Sequence, residues 1–76
     1  MSNASPIIYD PSTDSMYVTL REGRVVHTVA HDDRDFAVDV CEDGEPMGYD
    51  IQFASQHPDV IAEALTLLQR RTLRAA

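Results

Sequence analysis

Apolar and polar residues alternate over three stretches of this chain, and a helical spacing replaces the alternation near its end. Alternation with a period of two is typical of a strand with one buried face. The predicted inward positions are Met16, Val18 and Leu20, then Phe36, Val38 and Val40, then Met47, Tyr49, Ile51 and Phe53. A shorter apolar stretch, Ile7 to Tyr9, predicts a further strand. We therefore expect four to five short strands with one apolar face.

Two polar turns connect these strands. The first runs from Asp10 to Asp14, where Asp10 can accept a hydrogen bond from the backbone two residues on and Pro11 presets φ for the first turn position. The second is the acidic segment 42–45, which contains Gly44. Because each turn is followed directly by an alternating segment, the sequence predicts an antiparallel meander.

Gly23 marks a further reversal, and the length of its loop decides which side chains face the core. A two-residue loop, Glu22-Gly23, would turn Val25, His27 and Val29 inward. A three-residue loop, Glu22-Gly23-Arg24, would instead turn Val26, Thr28 and Ala30 inward, because a slip of one residue exchanges the two faces of a strand. We favour the second register because it leaves His27 and His31 in solvent rather than burying an imidazole without a partner.

The segment after Pro58 predicts an amphipathic helix. Pro58 suits a first helical turn, and Asp59 is favourable at the positive end of the helix dipole. Arg70 and Arg71 complement the negative end. The residues that recur at helical spacing are Val60, Ile61, Ala64, Leu65, Leu67 and Leu68, and Leu73 extends the stripe. The apolar face of the sheet is the natural surface for this stripe to cover.

These elements predict one α+β domain, an antiparallel β-meander with a C-terminal helix packed on one face. Residues 1–6 are expected to be disordered, 7–55 to form the meander and 56–73 the helix. A domain of 76 residues has a thin core, and a single cysteine, Cys41, excludes an internal disulfide. We therefore expect a homodimer, and Ile61, Leu65 and Leu68 are candidates to anchor the helix within its own subunit or against a partner.

The charge distribution argues against direct binding of nucleic acid. Residues 1–57 hold three arginines against eleven acids, a net charge of −8, and the remainder adds +1 to give −7 in total. Affinity for DNA or RNA depends on Lys and Arg that neutralise phosphates. The chain contains no lysine, which also excludes Schiff-base chemistry and a lysine-containing phosphate loop.

Few residues are candidates for chemistry. Asp39 and Asp50 are predicted on the outer face of adjacent strands, where outward acids usually serve solvation and edge protection. His27 and His31 share a face and, with a nearby Asp, could in principle hold zinc, although surface histidines beside an acidic loop are commoner. Cys41 is followed by two acids, whereas a reactive thiolate needs an electropositive setting. We expect no cofactor and no catalytic group.

Several segments together resemble a family of small bacterial proteins. They are Tyr9-Asp10-Pro11 through Asp14, Met16 to Leu20, Thr28, Asp39, Asp43-Gly44, Gly48, Ile51 and Ala54-Ser55. The chain is similar to the domain of unknown function 2283 over residues 7–55. Tyr49 and Gln52 depart from the residue types expected there, and the helix lies beyond the shared part. The resemblance implies the strand plan and no settled activity, and some such small acidic proteins look like partners of toxins.

The leading hypothesis is a non-catalytic protein-interaction module whose acidic surface, with Asp39 and Asp50, attracts a basic protein partner. An antitoxin-like role is its concrete form. The alternative is a small metal-dependent or hydrolytic enzyme that uses His27, His31 and the outward acids. One cysteine and no long apolar run favour the cytoplasm of a bacterium, without membrane association.

Overall fold

The fold consists of five strands followed by one helix. The structure is a computed structural model that describes residues 5–75, and side chains from residue 5 to residue 71. The strands are β1 (Ile7–Asp10), β2 (Ser15–Thr19), β3 (His27–His31), β4 (Phe36–Val40) and β5 (Pro46–Ile51). The helix is α1 (Pro58–Ala75), and two single 3-10 turns lie at Asp32–Arg34 and Ala54–Gln56.

The five strands form one antiparallel sheet in the order β1-β2-β5-β4-β3. The last strand, β5, therefore lies at the centre, between β2 and β4. The turns that connect β1 to β2 and β4 to β5 are the two predicted polar turns, and the C-terminal helix packs on the apolar face of the sheet. The predicted α+β class is confirmed.

The predicted hairpin at Gly23 is wrong. Strands β2 and β3 are not neighbours, because β5 occupies the side of β2 that β3 would have needed. The carbonyl of Met47 accepts hydrogen bonds from the backbone N–H groups of both Leu20 and Arg21, which extends the pairing of β2 with β5. The chain then crosses to the far edge, and the sheet order departs from a simple meander at this one link.

The favoured register of β3 is also wrong. His27 pairs with Val40 and Val29 with Val38, and residues directly opposite each other in an antiparallel pair point to the same face. His27, Val29 and His31 therefore lie on the helix side, and Thr28 and Ala30 on the other. Neighbouring β4 fixes this register, not the loop at Gly23. The two histidines are nevertheless exposed, as expected, because β3 is an edge strand.

The core lies between the sheet and the helix. Ile51, Val18 and Val60 are its largest fully buried side chains, and Ala64 is buried beside them. The alternation correctly predicted which residues of β2, β4 and β5 face the core, with one exception. Phe53 is 51% exposed, because the strand ends at Ile51 and the backbone of Phe53 turns into the left-handed region at φ 51°.

The helix uses most of its predicted stripe within its own subunit. Ile61, Leu67 and Leu68 are half-buried against the core, whereas Leu65 is 37% exposed. The side chain of Leu73 and residues 1–4 lie outside the described part of the chain. At the N-terminal side, the carbonyl of Pro6 accepts a hydrogen bond from Thr19. Within the described range, no helix combines the length and apolarity that crossing a membrane requires.

Candidate functional site: the open face of the sheet

The sheet face opposite the helix carries four polar side chains around a glycine. We call these five residues the open face: Tyr17, Thr28, Asp39, Gly48 and Asp50. These residues share one face because Tyr17 pairs with Asp50, Asp39 pairs with Gly48, and Thr28 pairs with Asp39. The core residues alternate with them along each strand. Within the described chain, no helix or strand is laid over the open face.

A tyrosine ring crosses the central strand on this face. The hydroxyl of Tyr17, on β2, donates a hydrogen bond of 2.5 Å to Oδ2 of Asp39, on β4. The ring passes over Gly48 of β5, where a Cβ atom would lie 2.6 Å from the ring carbon Cζ of Tyr17 and closer still to its hydroxyl. Only glycine at position 48 lets the ring lie against the backbone.

Thr28 completes the network from the edge of the sheet. Its hydroxyl donates a 2.7 Å hydrogen bond to Oδ1 of Asp39, so both carboxylate oxygens accept a bond. Burial, with the hydrogen bond to Asp39 and the charges of Asp39 and Asp50, raises the pKa of Tyr17 well above its usual value. Tyr17 therefore stays protonated and acts as a hydrogen-bond donor. The network links β2, β4 and β3 across β5.

Asp50 supplies the exposed charge of the open face. It lies on β5 directly opposite Tyr17, and Gln52 donates a 3.2 Å hydrogen bond to its Oδ1 atom. As predicted, Asp39 and Asp50 lie on the outer face of adjacent strands. Asp39 is half-buried and fixed, whereas Asp50 is exposed. Their role in binding stays a prediction.

A second polar group lies at the turn between β1 and β2. Asp14 accepts hydrogen bonds from the Tyr9 hydroxyl (2.8 Å), the Ser55 hydroxyl (2.6 Å) and the Ser55 backbone N–H (3.1 Å). The bond from Ser55 is the main cause that lowers the pKa of Asp14. Asp10 accepts bonds from Ser12, as the turn composition predicts. The turn thereby ties the start of the sheet to the segment before the helix, which is a structural role.

A third group holds the helix against the sheet. Arg34 lies 3.0 Å from Asp59 and 3.9 Å from Glu63, and the Tyr49 hydroxyl donates a 2.7 Å bond to Glu63. Burial raises the pKa of Tyr49, with a further contribution from the bond to Glu63. His57, which the sequence reading did not single out, lies 3.0 Å from Asp35. These pairs position the start of α1.

The two histidines of β3 share a face of the sheet, but they do not form part of a cluster of metal-ligating side chains in the described chain. His31 stacks on Phe36 with ring centroids 4.6 Å apart. Among the described residues, no group of three or more His, Cys, Asp and Glu side chains is arranged to hold a metal ion. His27 and His31 lie on the helix side and Asp39 and Asp50 on the open face, so the sheet separates the residues that the alternative enzyme hypothesis would combine.

Cys41 lies in a polar setting at the end of β4. Its thiol donates to Asp43 (2.6 Å) and accepts a weak 3.5 Å bond from Arg21, which itself lies 3.6 Å from Asp43. Two open grooves flank this end of the sheet, one beside Cys41 and the Gly23 loop and one beneath Leu67, Arg70 and Arg71 of the helix. Neither groove is lined by the histidines of β3 or the acids of the open face.

Sequence reasoning identified Asp39 and Asp50 but not the residues that fix Asp39. The available signal was Gly48, because a glycine inside a strand often marks the close approach of another group. Thr28 was placed on the wrong face, so its bond to Asp39 was not anticipated.

The comparisons with known proteins return one finding. No curated protein and no solved structure matches the chain. The model of a family described as "Protein of unknown function (DUF2283)" matches residues 7–55, which include all five strands and the whole open face. The resemblance inferred from the sequence is thus confirmed, and the chain belongs to the DUF2283 family.

Proposed function

We propose that this protein is a non-catalytic protein-interaction module whose open face binds a basic protein partner. The observation that carries the proposal is the fixed carboxylate of Asp39, held by Tyr17 and Thr28 beside the exposed Asp50. A side chain that is already immobilised loses little entropy on binding. The net charge of −7 would speed the encounter with a basic surface and select against acidic ones.

The sheet is a better candidate for this contact than the helix. Ile61 and Leu68 pack against the core of their own subunit, and of the three predicted helix anchors only Leu65 is exposed. A single exposed leucine is a small apolar contact. The open face, by contrast, presents hydrogen-bonding groups from four strands.

An antitoxin-like role, in which the acidic module holds a basic toxin, is the concrete form of the proposal. We further propose that the protein acts as a homodimer in the bacterial cytoplasm, where Cys41 would remain a free thiol. Self-association would supplement the thin core of a 76-residue domain.

A charge-reversal pair tests the proposal. The tagged protein, Asp50→Lys and Glu42→Lys are each used to capture partners from the host lysate at low and at high salt. Glu42 is an exposed acid of the turn between β4 and β5, so it matches the charge change away from the open face. We expect a stoichiometric basic partner on the wild type and Glu42→Lys, lost in high salt and lost with Asp50→Lys. Three results would overturn the proposal: binding that does not weaken in high salt, equal binding to Asp50→Lys and Glu42→Lys, or no bound partner at all.

A further inference from the structure

Strand β3 forms an exposed edge of the sheet, and its residues indicate which kind of partner strand can pair with it. We propose that a second copy of this chain pairs its own β3 antiparallel with β3, about a two-fold axis, to make a continuous ten-stranded sheet. This inference rests on the self-association put forward under Proposed function and names the surface that carries it. An isologous pairing of one edge with itself closes the assembly at two copies.

The two edges of the sheet differ in how they are protected. Edge strand β1 is four residues long, contains Asp10, and lies between Pro6 and Pro11, and short length, charge and proline all discourage strand addition. Edge strand β3 has five residues with neither a charge nor a proline. Val26 extends it, since its N–H bonds to the carbonyl of Val40.

The β3 edge is also apolar in a strongly acidic chain. Val25, Val26 and Val29 are 44%, 53% and 42% exposed, and residues 25–31 hold no Asp, Glu or Arg. Exposed valines next to the backbone groups of an edge strand favour pairing with a strand of another chain. Two chains that each carry a charge of −7 repel one another, so a contact between copies is most favourable where the acids are absent.

Self-pairing of β3 keeps charged side chains out of the contact. Residues 26–31 form the segment that can pair, and they contain no Asp, Glu or Arg. Asp32 and Asp33, which follow, leave the strand in the 3-10 turn Asp32–Arg34, so antiparallel pairing of the segment with its own copy places no like charges opposite one another.

Two lysine substitutions test the surface. Val29→Lys puts a charge on the β3 edge, and Ile8→Lys is its matched control, because Ile8 is 63% exposed on the opposite edge strand. Light scattering should give twice the chain mass of 8.5 kDa for the wild type and Ile8→Lys, and the single mass for Val29→Lys. Circular dichroism checks that each variant is folded.

Cysteine cross-linking tests the pairing without relying on a disruptive variant. In a Cys41→Ser background, Thr28→Cys, Val29→Cys and Ala30→Cys are each oxidised with copper phenanthroline. At least one of the three should yield a covalent dimer, because antiparallel pairing of β3 with its own copy brings the middle residues of the strand opposite one another. Oxidation that yields no covalent dimer through any of them would overturn the pairing.

The outcomes separate the two proposals. A wild-type protein that is monomeric at all concentrations overturns self-association and this inference together. A dimer that survives Val29→Lys but not Ile8→Lys, or that cross-links through none of the three cysteines, overturns the β3 surface while self-association stands. Absence of a basic partner on the wild-type protein in the capture experiment, with the dimer intact, overturns only the binding role of the open face.

Discussion

The hydroxyl of Tyr17 lies 2.5 Å from the Oδ2 atom of Asp39, although the two residues belong to strands separated by β5. The bond exists because Gly48 leaves room for the ring on the backbone of the central strand. Gly48 therefore determines whether Tyr17 can hold Asp39 in place.

Gly48→Ala should destabilise the fold by about 1–3 kcal/mol, the usual cost of overpacking. The added methyl group would overlap the Tyr17 ring, which must leave its place and give up the bond to Asp39. Urea unfolding measures the free-energy change.

A double-mutant cycle with Tyr17→Ala serves as the control for that prediction. If the ring is what the methyl group strikes, Gly48→Ala should cost much less once the ring is gone. Costs that simply add would show that position 48 needs glycine for another reason.

Tyr17→Phe should keep the packing of the ring. It should lower the free energy of unfolding by about 1 kcal/mol, the ordinary net contribution of one hydrogen bond. The comparison variant is Tyr49→Phe, which removes the bond to Glu63 on the opposite face. Of the two variants, only Tyr17→Phe should also weaken capture of the basic partner, because the Tyr17 bond holds Asp39 and the Tyr49 bond does not. Equal capture by both variants would argue that holding Asp39 has no part in binding.

Stability should fall in alkaline solution, and tyrosines should cause the fall. Burial and carboxylate neighbours raise the pKa values of Tyr17 and Tyr49 above the ordinary value of 10.0, so the folded protein holds these protons more tightly. This stabilisation is complete below about pH 10 and is lost as the pH rises towards the folded-state values. The chain has no lysine to titrate there.

Urea midpoints measured from about pH 8 to pH 11 check the alkaline prediction. The double variant Tyr17→Phe/Tyr49→Phe should start lower and show a flatter profile. A wild-type slope that persists unchanged in this variant would assign the effect to other groups.

Asp14→Asn should reduce stability near neutral pH and should make stability depend less on pH in the acidic range. Hydrogen bonds, chiefly from Ser55, lower the pKa of Asp14 below 3.8 in the folded state. The stabilisation is therefore present above that value and is lost as the pH falls through the folded-state pKa. Asparagine tolerates the left-handed backbone at φ 52°, so backbone strain is not introduced. Thermal melts from about pH 2 to pH 7 provide the measurement, and parallel wild-type and variant curves would contradict it.

Phe53→Asn should leave stability unchanged or raise it by about 0.5–1 kcal/mol. Phe53 is half-exposed and adopts a left-handed backbone that asparagine accepts more readily. Phe36→Ala provides the contrast, since Phe36 is buried between His31 and Tyr49. This variant should lower the free energy of unfolding by about 3–5 kcal/mol. A loss above about 1 kcal/mol for Phe53→Asn would show that its ring contributes to packing.

Local pattern predicted most elements of this fold because the alternation in β2, β4 and β5 and the helical stripe each reflect one buried face. The order of the strands depends on contacts between distant residues, such as Met47 with Leu20 and Arg21, and no local turn signal reports them. The hairpin predicted at Gly23 failed for this reason. Phe53 continued the alternation of β5 in sequence, but the strand had already ended.

The open face was predictable in part. Period-two alternation placed Asp39 and Asp50 outward, whereas the bonds that fix Asp39 come from β2 and β3. Finding them required the strand order and the register of β3 against β4, which the sequence leaves open.

The dependence of partner capture on salt, compared between Asp50→Lys and Glu42→Lys, tests the central claim most directly. If the open face is the binding surface, the wild type and Glu42→Lys should bind the same basic protein with an affinity that falls as salt increases, and Asp50→Lys should not bind it. Binding by Asp50→Lys as strong as that of the wild type would contradict the account.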